Sequence, residues 1–197
     1  MRVRGWARLA LLLIVLSGLE ACSGFPRLVV LRDPLTPEEH VTLGSSYEAQ
    51  GLRDLAAQEY HAALRRQTEY VPALVGLGNL SFAGGALQEA ADYYRQALDA
   101  EPTHPGAGNN LAMVYLARGD QLDEAERLAR QALEQGGALR PYVLETLARI
   151  YMRQGRDREA EAALDEAEAL APPENTALRE RVAESRRELE ALFSRTE

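Results

Sequence analysis

Cys22 is the one thiol in the 197-residue chain. A thiolate is the nucleophile of acyl and alkyl transfer, and with no second cysteine it can form no internal disulfide. Leu19-Glu20-Ala21 before it and Ser23 after it put small residues on both sides. Asn79 and Asn110 offer a different chemistry. Each amide carries donor and acceptor together, so it can grip a peptide group on both sides without reading its side chain. The other reactive types are scattered. His40, His61 and His104 have no partner at metal-ligand spacing; the first two read as solvated helix residues and the third as a loop residue. Asp123-Glu124 and Asp165-Glu166 fall at the polar starts and outer faces of helical segments. No glycine-rich phosphate loop follows a strand, and no Gly-x-Ser-x-Gly elbow occurs. These residues point to binding; no enzyme activity, metal or cofactor is expected.

The elements that must position them repeat along the chain. From Val71 to Pro102 the sequence carries Leu74, Leu77-Gly78, Gly85, Ala90, Tyr94, Ala97 and Pro102. Gly78 is small enough for a neighbour to approach closely, and Gly85 supplies a left-handed turn at the end of a first helix. Ala90 and Ala97 share one face of a second helix, where larger side chains would force helices apart. Pro102 stops that helix. Thirty-four residues earlier stand Leu43-Gly44, Tyr47, Gly51, Ala56, Tyr60 and Ala63. Thirty-four later come Leu111-Ala112, Tyr115, Gly119, Ala125 (one residue late) and Ala132. A fourth copy has Leu147-Ala148, Tyr151, Gly155, Ala160, Leu164, Ala167 and Pro172.

This pattern resembles the tetratricopeptide repeat family over roughly residues 37–174, with Leu74 in the tryptophan place and Ser81 in a tyrosine place. The resemblance implies an all-α, right-handed superhelical solenoid of four helix–turn–helix repeats, at 37–70, 71–104, 105–140 and 141–174. The expected helices are 37–50, 53–67, 71–84, 87–100, 105–118, 122–135, 141–154 and 157–170. A ninth, 175–193, sets Leu178, Val182, Leu189 and Leu192 at helical spacing and reads as the cap of the array, with a fraying tail to 197.

In that family the first helix of each repeat lines a concave groove. Counted through this chain, its places include Glu48, Val75, Asn79, Phe82, Asn109, Asn110, Met113, Tyr142, Glu145, Thr146, Arg149 and Arg153. The implied partner-binding set is Asn79, Phe82, Asn109, Asn110, Met113, Tyr142, Glu145, Arg149 and Arg153. Asn79 and Asn110 match the two asparagines of the carboxylate-clamp members, which bind extended C-terminal peptides. Val75, Tyr142 and Thr146 stand where that clamp has its cations. Ordinary repeat consensus, kept for helix packing, accounts for the same two asparagines.

The N-terminus has its own layout. Three arginines within Met1 to Arg8 precede the apolar run Leu9 to Leu16, which is too short to span a bilayer and is built like an export signal. Leu19-Glu20-Ala21-Cys22 resembles the lipobox of bacterial lipoproteins, with Glu20 unusual in it. That resemblance implies cleavage after residue 21, acylation of Cys22 and, with Ser23 next, sorting to the outer membrane. An ordinary signal peptide leaving a free thiol is the other reading. Residues 22–36 form a tether whose run Leu28-Val29-Val30-Leu31 reads either as a lid on the first repeat or as a strand for a partner's sheet edge.

The formal net charge is −8, and −10 once residues 1–21 are removed, which argues against nucleic acid as a partner. Together these features read as a lipid-anchored scaffold in a bacterial envelope, on the periplasmic face of the outer membrane, binding an extended or helical segment of an envelope protein. The architecture resembles the lipoprotein pilotins of type IV pilus secretins. An adaptor for an envelope peptidase or murein hydrolase and a self-assembling structural lipoprotein are the alternatives.

Overall fold

The computed structural model describes residues 33–196, and the compact unit starts at Leu35. The expected export signal, Cys22 and the Leu28–Leu31 run lie outside the described residues.

Nine α-helices follow among the described residues: α1 (Pro37–Ala49), α2 (Arg53–Arg66), α3 (Val71–Ala83), α4 (Leu87–Ala100), α5 (Pro105–Arg118), α6 (Leu122–Gln135), α7 (Arg140–Arg153), α8 (Asp157–Leu170) and α9 (Thr176–Thr196). The odd-numbered helices from α1 to α7 open the four repeats and contact one another in series; α2, α4, α6 and α8 form the outer layer. Prolines at the first or second position start all four inner helices, where the missing N–H costs nothing. Thr36 caps α1 in a reciprocal box: its hydroxyl accepts from the Glu39 N–H at 3.2 Å, and Glu39 Oε2 accepts from the Thr36 N–H at 2.8 Å. Gly85 ends the first helix of repeat 2 with φ +78°, as its spacing predicts.

The late Ala125 has a structural cause. After Gly119 the chain takes an extra residue, and Gln121 sits in the left-handed region at φ +50°. A second extra residue lies between repeats 3 and 4. Gly136 and Gly137, both at positive φ, feed a 3-10 turn over Gly137–Leu139 that leads into α7.

Small residues decide how closely the two layers pack. Ala56, Ala90, Ala97, Ala125 and Ala160 are all fully buried. Gly44 and Gly78 give way to tyrosine rings of their own repeats' outer helices. A Cβ built at Gly44 would lie 2.7 Å from Cε1 of Tyr60, and one at Gly78 would strike the Tyr94 ring. Repeats 3 and 4 carry Ala112 and Ala148 at the glycine place and the smaller Ala129 and Leu164 at the tyrosine place. Bulk on one helix is thus matched by its lack on the other.

One apolar cluster runs unbroken from Ala90 and Tyr94 to Leu178, Val182 and Leu189 of α9, which caps the array as expected. The cap extends to Thr196, past the expected end, with the Ser194 hydroxyl donating to the Ala191 carbonyl at 3.0 Å. Repeat 1 belongs to a separate, smaller cluster. His40 departs from its expected solvated state. It occupies the place of Leu74 and Leu144 and is buried against α2, with Nδ1 at 2.7 Å from Glu59 Oε2.

Candidate groove site

The site begins with two outer-helix tyrosines that reach past the inner helices. The Tyr60 ring lies between Gly44 of α1 and Gly76 of α3; a Cβ at Gly76 would come within 2.6 Å of its Cζ. Only these gaps let an aromatic side chain from α2 carry its hydroxyl to the concave side. There the Tyr60 hydroxyl donates to Glu48 Oε2 at 2.8 Å and lies 3.3 Å from Ser45 Oγ. Tyr94 of α4 does the same one repeat on, donating to Asn79 Oδ1 at 2.8 Å. Burial pushes the Tyr60 phenol up to about 12, with the Ser45 bond opposing and Glu48 reinforcing the shift. Burial raises Tyr94 as well. Both therefore stay neutral donors across the physiological range.

Asn110 Nδ2 donates to the same Asn79 oxygen at 2.9 Å. That oxygen, taking two bonds, is used up inside the protein. What the pair still offers is Asn79 Nδ2 as donor and Asn110 Oδ1 as acceptor, one from each of two adjacent inner helices. Tyr94 and the mutual bond fix their orientation, which lowers the entropy lost when they engage a peptide group. Phe82 and Met113 flank them. With Glu48, Asn79, Tyr94 and Asn110 they line a hollow of about 260 Å³. A second hollow of about 310 Å³ adjoins it, sharing Glu48 and Asn79 and walled by Val41, Val75 and His104. His104 is fixed by its own cap: its Nδ1 accepts from the Ala107 N–H at 3.0 Å.

The expected binding set therefore divides. Asn79, Phe82, Asn110 and Met113 come together in one hollow. Arg149 and Arg153 face a separate one of about 250 Å³ with Leu116, Ala117, Met152 and Glu188. Three other residues turn away from the groove. Glu145 is 1% exposed, because α9 packs across it. Arg181 pairs with one of its carboxylate oxygens, and the Ser185 hydroxyl donates to the other at 3.0 Å. Glu145 is thus a fastening for the cap and is closed to a partner. The Tyr142 hydroxyl accepts from Asn175 Nδ2, at the start of the same cap. Asn109 is buried, with Nδ2 3.6 Å from Met113 Sδ. Thr146 is buried as well and Val75 is apolar, so neither place supplies a clamp cation.

Tyr60 and Tyr94 complete the site without having been singled out for it by sequence, and Glu48, counted among the groove places but not in the implied binding set, joins it. The signal was present: Gly44 with Tyr60 and Gly78 with Tyr94 stand sixteen residues apart in successive repeats. Among the described residues no group of three or more His, Cys, Asp or Glu side chains could hold a metal ion, and no helix is long and apolar enough to cross a membrane.

Three family models, each described as tetratricopeptide repeat, match residues 41–105, 81–140 and 143–176. Photosystem I assembly protein Ycf3 of Cyanophora paradoxa is 34% identical over 84 residues, covering 41% of this chain and 49% of that protein. Cellulose synthase operon protein C of Xanthomonas axonopodis pv. citri (strain 306) is 33% identical over 138 residues, 67% of this chain and 9% of its own length. The chain thus spans about half or less of these curated relatives. A thermophilic repeat protein of Thermus thermophilus has the same fold, with a TM-score of 0.65 at 24% identity over 90% of this chain and 95% of that one.

Proposed function

The chain belongs to the tetratricopeptide repeat family, and from that premise we propose that it is a non-catalytic, membrane-anchored scaffold whose groove holds an extended or helical segment of a partner protein. The observation that carries this reading is the Asn79–Asn110 pair. It presents one fixed donor and one fixed acceptor between two apolar side chains, Phe82 and Met113. A peptide group needs that combination, and packing alone does not. The working stretch is repeats 1 to 3; in repeat 4 the cap takes Tyr142 and Glu145 for itself.

The anchor belongs to the proposal on sequence grounds. Acylation at Cys22 with two or more chains holds a body of net charge −10 at a membrane that would otherwise repel it. The residue pattern around Cys22 favours the periplasmic face of the outer membrane, and the joining of such an anchor to repeats favours a role in assembling an envelope machine such as a type IV pilus secretin.

Photo-reactive residues placed at Phe82 and Met113 test the groove in living cells, with exposed Arg127 on the outer layer as control. The expected result is one envelope protein cross-linked from both groove positions and not from 127. A secretin would support the pilus role, and a peptidase or murein hydrolase the adaptor role. Self-cross-links alone, or capture from 127 alone, would overturn groove binding. For the anchor, Cys22→Ser should abolish palmitate labelling; a variant still labelled would sink it.

A further inference from the structure

The two hollows of repeats 1 to 3 hold one carboxylate, that of Glu48. Among the described residues, the Glu48 carboxylate has a single side-chain partner, the neutral Tyr60 hydroxyl, and no cation. Two carboxylates more withdrawn from solvent do have cations: Glu145 is met by Arg181, and Glu126 by Arg130 and Arg156. Glu48 lines both hollows of repeats 1 to 3, beside Val41, Val75 and Phe82. The groove-facing residues of α3 and α5, including Asn79, Phe82, Asn110 and Met113, are uncharged, so nothing there competes for an incoming cation. Apolar walls lower the local dielectric and strengthen any pairing made against them.

We infer that the bound segment carries an arginine or lysine side chain that pairs with Glu48, next to an apolar side chain seated between Phe82 and Met113. This rests on the groove reading given above. Its peptide backbone meets Asn79 Nδ2 and Asn110 Oδ1, and Tyr60 holds Glu48 in the rotamer that faces the incoming charge. An acidic segment is rejected, because it would bring a second carboxylate against Glu48 without a cation to separate them. The selectivity is opposite in sign to capture of a terminal carboxylate.

The test uses the full chain in detergent and a randomised library of N-acetylated, C-amidated peptides, so that any charge preference comes from side chains. Selected peptides should be enriched in arginine or lysine beside an aliphatic or aromatic residue. Glu48→Gln keeps an acceptor for Tyr60 and should erase that enrichment, weakening the best binders roughly tenfold. Raised salt should weaken wild-type binding and leave the variant nearly unchanged. Peptides without basic enrichment that still lose binding on Phe82→Ala or Asn110→Ala would overturn the charge inference and leave groove binding standing. No selected peptides, or peptides indifferent to Phe82→Ala and Asn110→Ala, would overturn the groove itself.

Discussion

Replacing Gly78 by alanine tests how the groove floor is built. Tyr94 is 1% exposed, and its ring lies where the new methyl would go. Alanine returns about 1 kcal/mol of helix propensity at a helix interior position. Forcing a methyl against a ring with no room to retreat costs roughly 1–3 kcal/mol, and the close approach places it in the upper half of that range. The net loss is about 1–2 kcal/mol, a fall in melting temperature of about 2–8 °C for an array of this size. Tyr94→Leu alone loses the bond to Asn79 and leaves a cavity, roughly 2–4 kcal/mol. The double variant Gly78→Ala/Tyr94→Leu copies the pair that repeat 4 already uses, Ala148 with Leu164. Once the clash is gone, it should be about 2 kcal/mol more stable than the two single losses predict. Urea unfolding of all four proteins measures the cycle. Additivity within about 0.5 kcal/mol would refute the claim that ring and glycine are fitted to one another.

Gln121→Gly should raise stability by about 1 kcal/mol, because glycine adopts φ +50° without the steric cost a side chain meets there; Gln121→Ala should give no gain in the same urea titration. Arg181→Met leaves the buried Glu145 carboxylate with the Ser185 hydroxyl and, at 3.9 Å, Arg149 Nε. Arg181 is itself partly solvated, so the loss should be about 2–3 kcal/mol, read as faster amide exchange along α9 and recovered by adding Glu145→Leu. Tyr60 titrates higher in the folded chain than its ordinary 10, so its contribution is fully present below pH 10 and is lost as the pH rises from about 10 to about 12. Tyr60→Phe should flatten the stability profile in that window.

The glycine and alanine period makes the array legible, since each of those residues answers a local demand. Gly51, Gly85, Gly119 and Gly155 all take positive φ at inner-helix ends, and the boundaries of the eight repeat helices fall within one residue of their expected places. The late Ala125 flags an insertion, but nothing in the sequence says that Gln121 absorbs it in a left-handed conformation, because glutamine carries no mark of that state. Counting along repeats gives positions facing the groove and says nothing of what later packs over them. Glu145 departs from its expected role for that reason: its partners Arg181 and Ser185 lie 36 and 40 residues on, in a helix outside the repeat pattern. His40 departs from expectation because a polar residue in a core place needs a partner from another helix, here Glu59, and no spacing rule supplies one. Asn79 and Asn110 meet across adjacent inner helices, yet the hydroxyl of Tyr94 that fixes them comes from the outer layer.

The chain's three methionines make a direct test of the central claim. Met113 lines the hollow of repeats 1 to 3 and Met152 the hollow of repeat 4. Methyl-labelled methionine in the full chain, titrated with a segment of the cross-linked partner, reports on both at once by NMR. The account predicts that the Met113 methyl resonance shifts with saturation while Met152 stays fixed, and that Asn110→Ala weakens the response. A shift at Met152 with Met113 unmoved would place the partner at the arginines of repeat 4 and contradict the account.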